Sequence, residues 1–380
     1  MITIGELQTV LDRHYPPGSA QSWDRVGLVT GEVDDQVRGV LLTVDVTDEV
    51  IEQAIDLGAN VIIAHHPLLL RGVNAIDPGH PKGRMITTLI RQQIALITAH
   101  TNADIPVGGV SDSLAVALGL TDARPLQVLP VHPVEKLITY LPGDRLDPVI
   151  DALAAAGAGR IGLYERCAYS SAGTGTFQPL PGANPVIGVV GDREEVAEHR
   201  IEMIFERSRR SAVLDALLSS HPYEQPAYQV IELSEPADAG AVAGMGRVGT
   251  IETVSLATFA DHVAAVLPAT AGGVRVAGDP SRMVTTVALQ GGGAGDDLLD
   301  DARRAGADVY LTSDLRHHPA SEAVAWKDSP ALIDVAHWAA EWTWLPVLQQ
   351  ELRTRLDDPA IKITVSELRT DPWDFVSHGS

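Results

Sequence analysis

The chain has 380 residues, 45% hydrophobic and 21% charged, with 28 basic against 50 acidic side chains and a formal net charge of −22. At roughly 100–200 residues per domain this is two or three domains, and the acidity disfavours a phosphate-backbone-binding face while favouring divalent cations as partners. The single cysteine, Cys167, excludes an intrachain disulfide and a thiolate zinc cage. No run approaches the ~18 apolar residues of a membrane span, and Met1 to Asp12 lacks the pattern of a signal peptide, so a cytoplasmic protein without nucleic-acid or membrane partners is expected.

Residues 39–66 read as a β-α-β unit. Val40 to Val44 is a buried strand, Thr47 or Asp48 a cap, Val50 to Leu57 a helix by its apolar spacing, and Gly58 its stop. Val61 to Ala64 is the next strand and ends in His65-His66-Pro67. A helix from about Arg84 to Gln93 leads to the strand Ile94–Thr98, which ends in Ala99-His100. Alternating strands and helices imply a mostly parallel α/β sheet.

From about 126 to 244 the rhythm changes. Strands are expected at 134–140, 162–170, 201–206 and 227–233, helices at 146–156 and 211–219, and a long mobile loop at 171–185, rich in Gly, Thr and Pro. That order suits a small ferredoxin-like module, bordered by Pro130, Pro133, Pro236 and the 240–249 glycines. The first pattern then recurs. Val284 to Leu289 is a strand, Gly291 to Gly295 a turn, and Asp296 is placed to cap a helix to Ala305. Gly306-Ala307-Asp308-Val309 matches Gly58-Ala59-Asn60-Val61, and the strand Leu332–Val335 ends in Ala336-His337 with Glu341 beyond, as Ala99-His100 is followed by Asp104. We read an internal duplication, with core halves at 1–125 and 245–380 around an insertion at 126–244.

Ligand-type residues gather just past the C-terminal ends of buried strands, where open α/β sheets bind ligands. His65 and His66 can address two metals, or cap the strand. His337 and Glu341 share a helical face at i, i+4, or form a surface pair. His100 and Asp104 are their counterparts; Pro106 suggests a loop there, with Asp104 the better ligand and His100 an orienting group. Five groups, His65, His66, Asp104, His337 and Glu341, exceed the needs of one zinc and point to a two-metal site with ions roughly 3.5–4 Å apart. Zinc, iron, manganese, cobalt and nickel all fit nitrogen and oxygen ligands. Gly291, Gly292 and Gly293 read either as a phosphate cradle at a helix start or as a tight turn. His317 and His318 fall four positions late in the repeat and read as pocket-lining, with Asp314 orienting a ligand. His221 to Pro226, with two prolines, reads as a rigid connection rather than a metal site.

Trp23-Asp24-Arg25-Val26-Gly27-Leu28, His65-His66-Pro67, Ala99 to Asp104, the 291–295 turn, His337 with Glu341, and His221 to Glu224 together resemble the NIF3-like family, also known as GTP cyclohydrolase 1 type 2 homologs. Arg25 stands where that family has Asn. The resemblance implies a duplicated α/β core with an inserted PII/CutA-like domain, two divalent metals on His65, His66, Asp104, His337 and Glu341, and a ring-shaped homohexamer. It also implies a hydrolase of a nucleotide-like substrate, in the named reaction opening the guanine imidazole ring with release of formate, with Glu341 essential. Thr312-Ser313-Asp314 and Asp334 to His337 depart from the family pattern and alter the expected pocket wall. A phosphoesterase and a non-catalytic metal- or nucleotide-binding protein are the alternatives.

Overall fold

A computed structural model describes residues 2–129, 134–233, 243–293, 295–356 and 358–377; Pro130, Pro133, Pro236 and Gly240, expected as borders, lie outside them. The fold is mixed α/β. The chain forms two compact units, Met1–Val131 with Asp238–Ser380, and His132–Ala237.

The first unit holds two larger sheets. In one, Gly39–Thr43, Val61–Ala64 and Ala95–Thr98 lie side by side in parallel, Lys362–Val365 extends them in parallel, and Gly27–Thr30 closes the other edge antiparallel. In the other, Met283–Leu289, Val309–Ser313 and Ala331–Val335 are parallel neighbours, and Arg275–Ala277 is the antiparallel edge beside the third. On the far side Arg247–Ser255 and Thr121–Arg124 add antiparallel strands. The central strands are buried on both faces, hence the continuous apolar runs.

Local chemistry sets the element ends. The Thr47 hydroxyl accepts the Val50 N–H to start the helix Asp48–Leu57, and Gly58 ends it at φ +67°, where a side chain would be strained. Asn60 fastens the next strand to its neighbour: its Oδ1 accepts Arg38 N–H at 2.7 Å, and its backbone O accepts Ala95 N–H at 2.9 Å. Asp308 does the same in the other sheet, its Oδ2 accepting Thr285 and Thr286 N–H at 2.9 and 2.8 Å and its backbone O accepting Ala331 N–H at 2.9 Å.

Asp296 does not cap a helix. The helix begins later, at Leu299, with no side-chain cap, and Asp296 instead accepts from the Arg316 guanidinium at 3.1 Å. The glycine run therefore opens a string of turns, not a helix. Asp104 also departs from the expected loop, ending one helical turn, Thr101–Asp104.

The second unit is a four-stranded antiparallel sheet ordered Tyr228–Glu232, Val134–Leu141, Glu194–Glu206, Tyr169–Phe177. The helices Leu146–Ala155 and Arg210–Ser220 pack on it through Val149, Leu153, Val213 and Leu217 against Leu137, Ile201, Met203 and Phe205. Neither the strand at 162–170 nor the loop at 171–185 stands as expected. Tyr169–Phe177 is an edge strand, exposed along most of its length, so no apolar alternation marks it. One of its glycines answers to the neighbouring strand: a Cβ on Gly175 would lie 2.0 Å from Glu198 Oε2.

Candidate metal centre

The first unit brings together every ligand-type residue singled out at strand ends. His65 follows its strand directly; its Nδ1–H donates to Ala99 O at 2.9 Å, which turns Nε2 towards Glu341 Oε1 at 3.2 Å. His66 Nδ1 donates to Asp45 Oδ1 at 2.7 Å, His100 Nδ1 to Asp24 Oδ1 at 2.8 Å and His337 Nδ1 to Asp314 Oδ2 at 2.7 Å. Four imidazoles are thus held by one ring nitrogen with the other left for the centre, the arrangement by which metal-ligating histidines are oriented.

Glu341, 2% exposed, lies among them on the helix His337–Trp342. Its Oε1 is 2.7 Å from His337 Nε2 and 3.2 Å from His65 Nε2, and its Oε2 is 3.0 Å from His66 Nε2. His66 Nε2 and His337 Nε2 face each other at 3.2 Å. Asp104 Oδ1 sits 3.8 Å from His65 Nε2. His65 Nε2 and Asp104 Oδ1 are buried and satisfied by no hydrogen bond, and Glu341 Oε2 is buried with only the ion-pair contact to His66. Orphaned buried acceptors are costly, and here they converge. Two overlapping groups, His65 with His66 and His100, and His66 with His337 and Glu341, each bring ligand atoms within 4.8 Å of one another. Nitrogen and carboxylate oxygen donors without sulfur suit a divalent transition metal or zinc. The residues present fit such an ion.

Burial opposes the charge on His66 and His337, but Glu341 raises both, with Asp45 and Asp314 adding to it, to about 10 and about 11. Burial likewise opposes the Glu341 charge, yet the three imidazoles hold it well below the usual carboxylate range. Burial and the Glu341 charge push Asp104 up to about 7. Asp24, despite burial, falls to about 2 through His100 and Thr101. In the metal-free state protons do the work of cations.

The glycine run closes one side. Gly292 lies at φ +86°, and a Cβ there would stand 2.4 Å from Glu341 Oε1; one on Gly293 would stand 2.5 Å from His337 Cε1. These glycines permit close approach to the cluster. His317 and His318 are exposed at the start of the helix His317–Val324, their rings touching edge to face, and make none of the bonds given above.

Asp24 and Asp45, which hold His100 and His66, are members of the cluster that spacing in the sequence does not reveal. Asp45 had a usable signal, since it too follows a buried strand, Gly39–Thr43. Asp24 lies in the Trp23-to-Leu28 segment, but its partner His100 is distant in sequence.

In the second unit His221 Nε2 donates to Tyr140 O at 3.1 Å and its Nδ1 accepts Tyr223 N–H at 3.1 Å, while Glu224 accepts Asn184 N–H at 3.0 Å. His221 and Glu224 brace the connection and do not converge. A cavity of about 910 Å³ opens in this unit beside Tyr140, Phe177, Arg200 and Tyr223, without a cluster of metal ligands among the described residues. Among the described residues no helix is long and apolar enough to cross a membrane.

Comparison with known proteins agrees in length and fold. The model of the Duf34/NIF3 (NGG1p interacting factor 3) family matches residues 2–372. A Mycobacterium leprae protein named GTP cyclohydrolase 1 type 2 homolog is 44% identical over 374 residues, 98% of this chain and 95% of its own. A Bacillus subtilis protein of the same name is 38% identical, covering 98% of each. The crystal structure of a Bacillus cereus protein related to NIF3 superposes with a TM-score of 0.67 at 37% identity, covering 98% of this chain and 99% of that one. With a family model spanning nearly all of it and relatives matched end to end, the chain belongs to the DUF34/NIF3 family.

Proposed function

We propose that this chain is a hydrolase that holds two divalent cations and acts on a small nucleotide-like substrate, with the ring-opening reaction that its relatives' name denotes as the first activity to test. The observation that carries the reading is the convergence of oriented imidazoles on buried carboxylate oxygens that lack hydrogen-bond partners. His65, His66, Asp104, His337 and Glu341 would hold the ions, and His100, expected only to orient a ligand, joins them because its ring nitrogen lies within 4.8 Å of those of His65 and His66. Divalent cations in such a centre act as Lewis acids and make water an effective nucleophile at neutral pH.

The chain's own residues do the rest. Asp45, Asp24 and Asp314 fix the tautomer and angle of three ring ligands. Glu341 reaches three imidazoles with its two oxygens, so it suits a bridging role. Asp104, buried within 3.8 Å of His65 Nε2 and with an oxygen that has no hydrogen-bond partner, is placed to offer that oxygen to an ion. Gly292 and Gly293 leave the approach clear.

The shared strand order of the two sheets, and the matching bonds of Asn60 and Asp308, support a duplicated core. The β-α-β-β-α-β order of the second unit supports a ferredoxin-like insertion of the PII/CutA kind. A homohexamer in the cytoplasm is the assembly proposed with this reading, tested by light scattering.

The test is formate release from GTP, alongside phosphoester turnover, by metal-loaded wild type and Glu341→Gln. Wild-type turnover lost in the variant, with the fold retained, supports the reading. Activity undiminished in the variant rejects the site. Turnover of phosphoesters but not GTP moves the substrate class. Binding without turnover of either rejects the enzyme in favour of a binding protein.

A further inference from the structure

Beside the cluster stands an exposed aromatic ring, Trp23, in contact with His100. Trp23 is 54% exposed, although the next residue, Asp24, is buried. The turn that carries it is tied to the site by several bonds. Asp24 N–H donates to Gln21 O at 2.9 Å, Gln21 N–H to Thr101 Oγ1 at 3.0 Å, and the Asp24 carboxylate accepts from His100 Nδ1 at 2.8 Å and Thr101 N–H at 3.0 Å. The backbone position of the indole is therefore set by the same carboxylate that orients His100. The indole meets the imidazole near edge-on, with centroids 6.0 Å apart and planes at 77°. An indole left about half exposed, anchored at the rim of a polar centre, forgoes part of the stabilisation that burial would bring.

We propose that Trp23 is a stacking platform for a flat heteroaromatic ring of the substrate, which lies beside His100. This rests on the reading of the cluster as a metal-dependent substrate site, and it specifies that the substrate carries a base, not only a phosphate. A tryptophan face takes any planar base through dispersion and its quadrupole. Stacking orients the substrate while leaving the imidazoles and carboxylates free for the ions.

The experiment uses the full-length, metal-loaded protein as wild type, Trp23→Ala and Trp23→Phe. For each, metal content, assembly size, and equilibrium affinity for GTP and for inorganic tripolyphosphate are measured. The expected result is a loss of roughly tenfold or more in GTP affinity for Trp23→Ala, substantially restored in Trp23→Phe, with tripolyphosphate affinity, metal content and size unchanged. Equal GTP affinity in wild type and Trp23→Ala overturns the proposal, as does an equal loss for tripolyphosphate. A loss that appears only with a change in assembly size also overturns it, assigning the ring to contact with a second copy. Wild type that holds metal and binds tripolyphosphate as tightly as GTP defeats the platform alone. Wild type that takes up no metal defeats the underlying site.

Discussion

The chemistry at residue scale is a matter of which nitrogen faces where. Asp24, Asp45 and Asp314 each accept a hydrogen bond from an Nδ1–H and so leave the other ring nitrogen of that imidazole free for the centre. Replacing any of them by Asn weakens that orientation without emptying the core. Asp45→Asn is expected to lower metal affinity by about 10–100-fold, measured by competition with a chromophoric chelator, with the circular dichroism spectrum unchanged. The pH dependence has a definite sign. His66 and His337 are raised to about 10 and about 11, above an unfolded value of ~6.5. Their contribution to the stability of the metal-free protein is therefore complete below pH ~6.5 and is lost as pH rises towards those values. A cation must displace the same protons, so its affinity rises across the window. The difference in Tm between metal-loaded and metal-free protein should widen from pH 6.5 to 9; a constant or shrinking difference contradicts the account. Helical spacing put Glu341 and His337 on one face, and only their place past a buried strand, beside the other ligand-type residues at strand ends, singled them out. Spacing could not pair His100 with Asp24, since only the tertiary fold brings those two together.

Elements place these groups, and the tightest constraint comes from the glycine run. Gly292→Ala combines a positive φ with a Cβ 2.4 Å from Glu341 Oε1, a strain of about 1–3 kcal/mol. It should lower metal occupancy together with Tm. Gly58→Ala is the matched control: its φ is +67°, but a Cβ there meets nothing within 4 Å. It should cost about 1–2 kcal/mol and leave metal occupancy alone. Equal occupancy in the two variants would show that the glycines do not shape the site. The buried parallel strands were legible because burial on both faces writes an uninterrupted apolar run. Tyr169–Phe177 was not, because an exposed edge strand has no hidden face to encode, and Gly175 answers to Glu198 across the sheet. The turn after Met283–Leu289 misled for a related reason: Asp296 looks like a cap locally, but its partner is Arg316.

In the whole molecule, all the cluster residues belong to one unit, Met1–Val131 with Asp238–Ser380, and His132–Ala237 has a core of its own. Replacing 132–237 by a short flexible linker should therefore preserve metal binding, read by metal content of the shortened protein and its Tm with and without metal. Loss of metal from a protein that still folds would show that the second unit contributes to the centre. The most direct measurement for the central claim is the metal content per chain of the full-length protein after loading and exhaustive dialysis, with Glu341→Gln in parallel. The account predicts about two tightly held divalent cations in wild type, a sharp reduction in the variant, and a Tm that rises with loading only in the former. A folded wild-type protein that retains no cation and whose Tm ignores zinc, manganese, iron, cobalt and nickel would contradict it.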